Sequence, residues 1–177
     1  SQSLCRSLPN HPKTVSPPPL YQQHQHALST TTTTTTTAAA QTLSLTTGID
    51  SAAGDSGNDI INGGATSAAT QTLNTLDTID GGAGTDTLSA VIASNVTPGT
   101  LNVEVYNVSA IAAATLDLVG STGITSVTNT GSSNTLTVTN VGSGVALTLA
   151  STANGGTFNY VASDLTGTAD AKSITVS

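Results

Sequence analysis

The chain has 177 residues and a formal net charge of −7, which is enough length for one domain or a short solenoid. Only 7% of its residues are charged and 2% are aromatic, so a globular core built on bulky side chains is not expected. Lys and Arg together number 3, which excludes a basic surface for nucleic acid, and no segment is long and apolar enough for membrane insertion.

Residues 1–40 differ in composition from the rest of the chain. All prolines except Pro98 lie here, together with the homopolymer Thr30–Thr37. Proline blocks helices and central strands, and a segment rich in Thr and Gln buries too little apolar surface to offset the loss of chain entropy. We therefore predict a disordered, low-complexity leader over 1–40.

From residue 41 onward the sequence predicts short β-strands. Thr and Val favour extended backbone, and apolar residues alternate with polar ones in segments separated by Gly, Ser and Asn. These segments are 43–46, 101–105, 115–118, 135–138, 146–149 and 173–176. The predicted fold class is all-β, a parallel β-roll or β-solenoid with short strands, and a β-sandwich is the alternative.

Two stretches, 54–62 and 81–89, fit the nine-residue pattern G-G-x-G-x-D-x-U-x, in which U is a large apolar residue; the first has Asp55 in place of the second Gly. Glycine permits positive φ angles, Asp supplies the hard anionic oxygen that Ca²⁺ prefers, and the apolar residue fills a narrow core. Between the copies, 63–77 is interpreted as a repeat with an insertion that forms one or two helical turns.

The repeat spacing predicts a metal site. If loops and short strands alternate on two sides of a roll, the loops 54–59 and 81–86 stack on the same side, with their aspartates facing one another. Backbone carbonyls near the glycines point into the same gap. The predicted ligands are Gly54, Ser56, Asp59, Gly81, Ala83 and Asp86. A donor set made only of oxygen suits Ca²⁺ and is poor for Zn²⁺ or copper.

Calcium is expected to contribute to folding. Two stacked carboxylates repel one another, and such short strands bury too little apolar surface to overcome the repulsion. We therefore hypothesise that 50–90 is loose without calcium and orders when the ion binds. The alternative is that Gly-Asp turns join the strands without an ion. Asp50, Asp55 and Asp80 are either outer ligands or turn residues.

The two nonapeptides resemble the calcium-binding repeats of RTX proteins, which are exported by type I secretion in Gram-negative bacteria. The runs Leu45–Asp50, Gly57–Asp59 and Thr75–Leu88 further resemble bacterial S-layer and related large surface proteins. The resemblance implies that Ca²⁺ supports folding outside the cell and lattice assembly at the cell surface. We divide the chain into the leader 1–40, a calcium-binding roll at 41–92 and a Thr-rich, solenoid-like region at 93–177.

Two functions follow from this resemblance. The first is a structural surface protein that associates with itself. The second is an adhesin whose 95–177 region binds a partner such as a cell-surface polysaccharide, although few aromatic residues are present to stack on sugars. Catalysis is not expected, because the chain has no G-x-S-x-G or H-E-x-x-H motif and all 3 histidines lie in the leader.

Overall fold

Parallel β-strands form the structured part of the chain. The computed structural model describes residues 38–150, 154–164 and 174–176. These residues belong to one unit, Thr36–Ser177. Residues 1–37, which make up nearly all of the predicted leader, lie outside the described ranges.

Three sheets account for all the strands of the described ranges. The long sheet contains, in spatial order, β1 (Thr42–Ser44), β3 (Ile60–Gly63), β5 (Thr87–Ile92), β7 (Val105–Ala110), β9 (Ser126–Thr130), β11 (Ala146–Ala150) and β13 (Ile174–Val176). The second sheet contains β2 (Ser51–Ala53), β4 (Thr78–Asp80) and β6 (Gly99–Leu101), and the third contains β8 (Ala114–Asp117), β10 (Leu136–Val141) and β12 (Gly156–Tyr160).

Successive strands alternate between the long sheet and one of the two shorter sheets, and every strand pair is parallel. This alternation makes each pair of strands one turn of a β-solenoid, which confirms the predicted all-β, parallel fold class. A β-sandwich would have shown antiparallel sheets. Short 3₁₀ helices, Ala68–Thr70 and Ala162–Asp164, are the helical elements of the described residues.

A column of apolar side chains fills the interior along the long sheet. Its members occupy the same register position in successive strands, and they are Leu43, Ile61, Leu88, Tyr106, Val127 and Leu147. Apart from the half-buried Leu43, these side chains are buried. The Tyr106 hydroxyl is hydrogen-bonded to the buried Thr100 hydroxyl on the facing second sheet. Because side chains alternate between faces along a strand, the next register position along these strands lies on the outer face and holds Ser44, Asn62, Ser89, Asn107, Thr128 and Thr148.

Most predicted strands lie within one or two residues of observed ones, but the predicted strand 101–105 is wrong. β6 ends at Leu101 and β7 begins at Val105, and between them Asn102 has φ 52°. The chain turns a corner here, where Val103 points into the core. The corner therefore produces the same alternation of apolar and polar residues as a strand.

The insertion between the nonapeptides adds one repeat length to a turn. Gln41 and Asp59, at equivalent positions of successive turns, are 18 residues apart, whereas Asp59 and Asp86 are 27 apart. The extra residues include the 3₁₀ helix and the buried Leu73 and Gln71. The predicted helical turns are thus a single short 3₁₀ helix.

Candidate metal centre

Acidic side chains form a column along one side of the solenoid. We call this side the first flank; its loops, 38–41, 54–59, 81–86 and 102–104, each lead into a strand of the long sheet. Asp59, Asp86 and Glu104 directly precede β3, β5 and β7, which pair in register. The parallel register thus stacks three acidic residues on successive turns, of which Glu104 was not identified from the sequence.

Backbone amides link the column from turn to turn. The Gln41 N–H donates to Asp59 Oδ1 at 2.7 Å, and the Asp59 N–H donates to Asp86 Oδ1 at 2.6 Å. The Asp86 N–H donates in turn to Glu104 Oε2 at 2.8 Å. Each carboxylate therefore lies against the backbone of the preceding turn, which places Asp59 and Asp86 on adjacent loops.

Glycine allows the two loops 54–59 and 81–86 to approach closely. A Cβ atom added to Gly54 would collide with both the Asp59 carboxylate and the Gly81 carbonyl oxygen. Gly82, with φ 90°, lies against the Asp55 carbonyl, and Gly84, with φ 135°, lies against the Gly57 carbonyl. Carbonyl oxygens of Asp55, Gly57 and Gly81 therefore face the space between the loops.

Three of the predicted ligand residues use their polar groups to join the turns. The Gly54 N–H donates to the Asp80 carbonyl at 2.8 Å, and the Ala83 N–H donates to the Asp55 carbonyl at 2.8 Å. The Ser56 hydroxyl accepts a hydrogen bond from the Ala38 N–H at 3.1 Å. The carbonyls of Asp55 and Gly57 are further candidate ligands that were not named from the sequence. They lie at the second and fourth positions of the nonapeptide.

The side chains of Asp55 and Asp80 act as turn residues. Asp55 Oδ1 accepts a hydrogen bond from the Gly57 N–H at 2.8 Å, and Asp55 also bonds the Gln41 side-chain amide. These bonds lower the pKa of the Asp55 carboxyl, with the Gly57 N–H as the main cause. Asp80 Oδ1 accepts from the Gly82 N–H and the Asn102 side-chain amide, both at 3.0 Å.

Asp86 has the least satisfied carboxylate of the site. The side chain is fully buried, and its Oδ2 atom has no hydrogen-bond partner among the described residues. Burial is the main cause of a raised pKa of Asp86, and the negative charges of Glu104, Asp59 and Asp55 raise it further, against the hydrogen bond from the Asp59 N–H. A buried, unpaired carboxylate oxygen is costly unless a donor or a cation meets it.

The residues present fit a hard cation. The described residues contain no group of three or more His, Cys, Asp and Glu side chains placed to hold a metal, so the donor set is a pair of carboxylates together with backbone carbonyls. Oxygen ligands of this kind match Ca²⁺, whose coordination is flexible and takes 6–8 oxygens. Among the described residues this site offers no imidazole or thiolate ligand, and such a donor set suits zinc or copper poorly.

A family model described as the RTX calcium-binding nonapeptide repeat, in 4 copies, matches residues 35–66 and 76–90. These segments are RTX-type calcium-binding repeats. The gap in the match falls within the insertion, where the nonapeptide pattern is interrupted. No curated protein and no solved structure matches the chain.

The RTX repeats identify Ca²⁺ as the cofactor and are typical of secreted proteins. Within the described residues, no helix is long and apolar enough to cross a membrane. At the first flank, the ion would be held by two carboxylates and three backbone carbonyls. These belong to Asp59 and Asp86, and to Asp55, Gly57 and Gly81. A bound ion would supply the positive charge that the stacked carboxylates need, and the glycines let the two loops come close enough for oxygens of both to reach it.

Proposed function

We propose that this RTX protein is a calcium-stabilised structural protein of the bacterial cell surface, similar to an S-layer protein, exported by type I secretion and able to self-assemble, with no catalytic role. The observation that carries the proposal is the acidic column of the first flank, which runs along successive turns of a thin parallel solenoid. Calcium outside the cell would make this solenoid rigid, which is the property that a surface coat requires.

Exposed apolar side chains support self-association. Ile49 and Leu76 are 69% and 66% exposed, and each directly precedes an aspartate that leads into the second sheet. They therefore occupy equivalent positions on stacked loops. Neighbouring exposed apolar residues are a common feature of protein contact surfaces, so these two side chains are suited to contact a second copy of the chain.

Light scattering with and without calcium tests the proposal. We expect ordered assemblies to grow when calcium is added to chelator-treated protein, and the double variant Ile49→Asp, Leu76→Asp to assemble less. Val119→Asp is the matched control, because Val119 is also exposed, at 56%, but lies beyond the repeats. A calcium-loaded protein that stays monomeric at all concentrations would contradict the structural role.

A calcium-dependent adhesin is the second candidate. A shallow groove crosses the outer face of the second sheet and is lined by residues that include Ser51, Thr78, Asp80, Gly99 and Leu101. Hydroxyl and carboxylate groups of this kind form hydrogen bonds with sugar hydroxyls. A monomeric protein that binds cell-surface polysaccharide, and loses that binding in the Thr78→Val variant, would favour this function.

A further inference from the structure

The side of the solenoid opposite the first flank carries a second pair of stacked aspartates. We call this side the second flank; its loops 45–50 and 72–77 lead into β2 and β4, which pair in register from Ser51 and Thr78. The Asp50 N–H donates to Asp77 Oδ1 at 2.9 Å across a separation of 27 residues. The same spacing and the same type of bond join Asp59 to Asp86 on the first flank.

Backbone carbonyls also come together at the second flank, where they surround the side-chain amide of Asn74. Asn74 Nδ2 donates to the Gly48 carbonyl at 2.8 Å, to the Thr72 carbonyl at 3.3 Å and to the Thr46 carbonyl at 3.4 Å. These three oxygens come from both stacked loops. The amide nitrogen therefore lies between the loops, where it meets oxygens from each of them.

Counting back from the aspartates shows that the two flanks are equivalent. Thr46 and Gly48 precede Asp50 by the same offsets at which Asp55 and Gly57 precede Asp59, and Thr72 corresponds in the same way to Gly81. The carbonyls that face the gap on the first flank are thus the ones bonded by the amide on the second. Asn74 itself corresponds to Ala83, whose methyl group offers no donor.

We propose that the Asn74 amide replaces a calcium ion on the second flank, so that this flank is closed without metal and calcium binds on the first flank. The amide directs N–H groups at carbonyls that would otherwise coordinate a cation. Asp77 is satisfied in addition by the Asn74 N–H at 2.7 Å, and Asp50 by the Thr46 N–H at 2.7 Å and the Thr46 hydroxyl at 2.9 Å. The inference depends on calcium binding by the repeats and not on the surface role.

Calcium titration by calorimetry tests the proposal, using the full chain after chelation. Asn74→Ala removes the amide and makes the second flank resemble the first, so we expect it to bind an additional ion per chain. Its melting temperature should fall in EDTA and rise more on calcium addition than that of the wild type. The reciprocal change, Ala83→Asn, should reduce the number of ions bound on the first flank.

Asn134→Ala is the matched control, because the Asn134 amide bonds the Ile111 carbonyl on another turn at 2.7 Å and the neighbouring Ser133 hydroxyl, and within the described residues it contacts no aspartate. It should lose stability without gaining an ion.

If Asn74→Ala does not fold even with calcium, the same titration is made on Asn74→Asp. This variant should also bind an additional ion, because its added carboxylate is a calcium ligand. A folded Asn74 variant with the wild-type ion count and thermal shift would overturn the proposal. Wild-type protein that binds calcium but does not assemble would count only against the surface role.

Discussion

Asp59 and Asp86 occupy the same position of the repeat but differ in their hydrogen bonds. Asp59 Oδ2 accepts the Asp55 N–H at 2.8 Å, whereas the corresponding Gly82 N–H bonds the Asp80 side chain at 3.0 Å. Asp86 Oδ2 is consequently left without a partner. At the scale of single residues, Asp86 is therefore the carboxylate whose stability depends most on a bound cation.

We predict that Asp86→Asn has opposite effects with and without calcium. In EDTA the variant should be more stable than the wild type by about 1 kcal/mol, because a neutral side chain avoids the burial of a charge. In saturating calcium it should be less stable, because one anionic ligand is lost. Urea unfolding under both conditions measures the difference, with Asp117→Asn, outside the repeats, as the control. A shift of the same sign in both buffers would contradict the prediction.

The pH dependence of this variant follows from the raised pKa of Asp86. A carboxyl with a raised pKa in the folded state contributes its stability below the ordinary aspartate pKa and loses it as pH rises through the raised value. Without calcium, the wild type should therefore lose stability relative to Asp86→Asn as pH rises above the ordinary aspartate range. Calcium favours the ionised form, so in its presence the trend should reverse.

At the scale of elements, the loops can stack in close contact only because glycine has no side chain. A Cβ atom on Gly81 would collide with the Asn102 carbonyl and lie 2.5 Å from Asp86 Oδ2, whereas one on Gly64 would meet no atom within 4 Å. Gly81 and Gly64 are thus the same residue type in the same solenoid, with different surroundings. They differ in whether the next turn lies directly against them.

Gly81→Ala should therefore destabilise the calcium-loaded protein by roughly 1–3 kcal/mol, the usual cost of overfilling a closely packed site. It should also weaken calcium binding, because the methyl group displaces the Asp86 carboxylate. Gly64→Ala should change stability by less than about 0.5 kcal/mol, as exposed substitutions generally do. Chemical unfolding and calcium titration of both variants measure the effects, and equal losses would refute the stacking argument.

The elements show where sequence patterns are sufficient. Alternation located β8, β11 and the start of β10 to within one residue, because side chains of a strand alternate between faces, but it placed the end of β10 three residues early. The same alternation misidentified 101–105, since at a corner an inward Val103 between polar neighbours gives the same pattern. The positive φ of Asn102 is what turns the chain there, and Asn tolerates that conformation better than most residues.

At the scale of the whole molecule, the solenoid is quasi-one-dimensional, so each turn is stabilised mainly by its neighbours. Acidic residues of the first flank end at Glu104; the equivalent residues of the next turns are Thr125 and Val145. The turns that follow are held by apolar columns such as Leu116 and Val138. Dependence on calcium should accordingly vary along the chain.

We predict that chelation loosens 41–90 and leaves β9 to β11 protected. Hydrogen exchange measured by mass spectrometry, with calcium and with EDTA, should show faster exchange in the repeats because the carboxylates then repel. Amides of Val127 and Leu147, which lie in the buried column, serve as internal controls. Uniform loss of protection along the whole chain would show that calcium stabilises a single cooperative unit instead.

The sequence by itself determined the chemistry of the repeats. Glycines, an aspartate and an apolar residue at fixed spacing specify tight turns, oxygen ligands and a thin core, and all three are local properties of nine residues. It therefore gave the parallel solenoid, the calcium cofactor and the pairing of Asp59 with Asp86 as predictions.

Only the tertiary structure decided which oxygens and amides meet between turns. The carbonyls of Asp55 and Gly57, the position of Glu104 and the placement of the Asn74 amide all depend on how residues 18 or 27 apart are aligned. That alignment is set by the register of the core and by the path of the insertion. Both are long-range properties, which no nine-residue pattern contains.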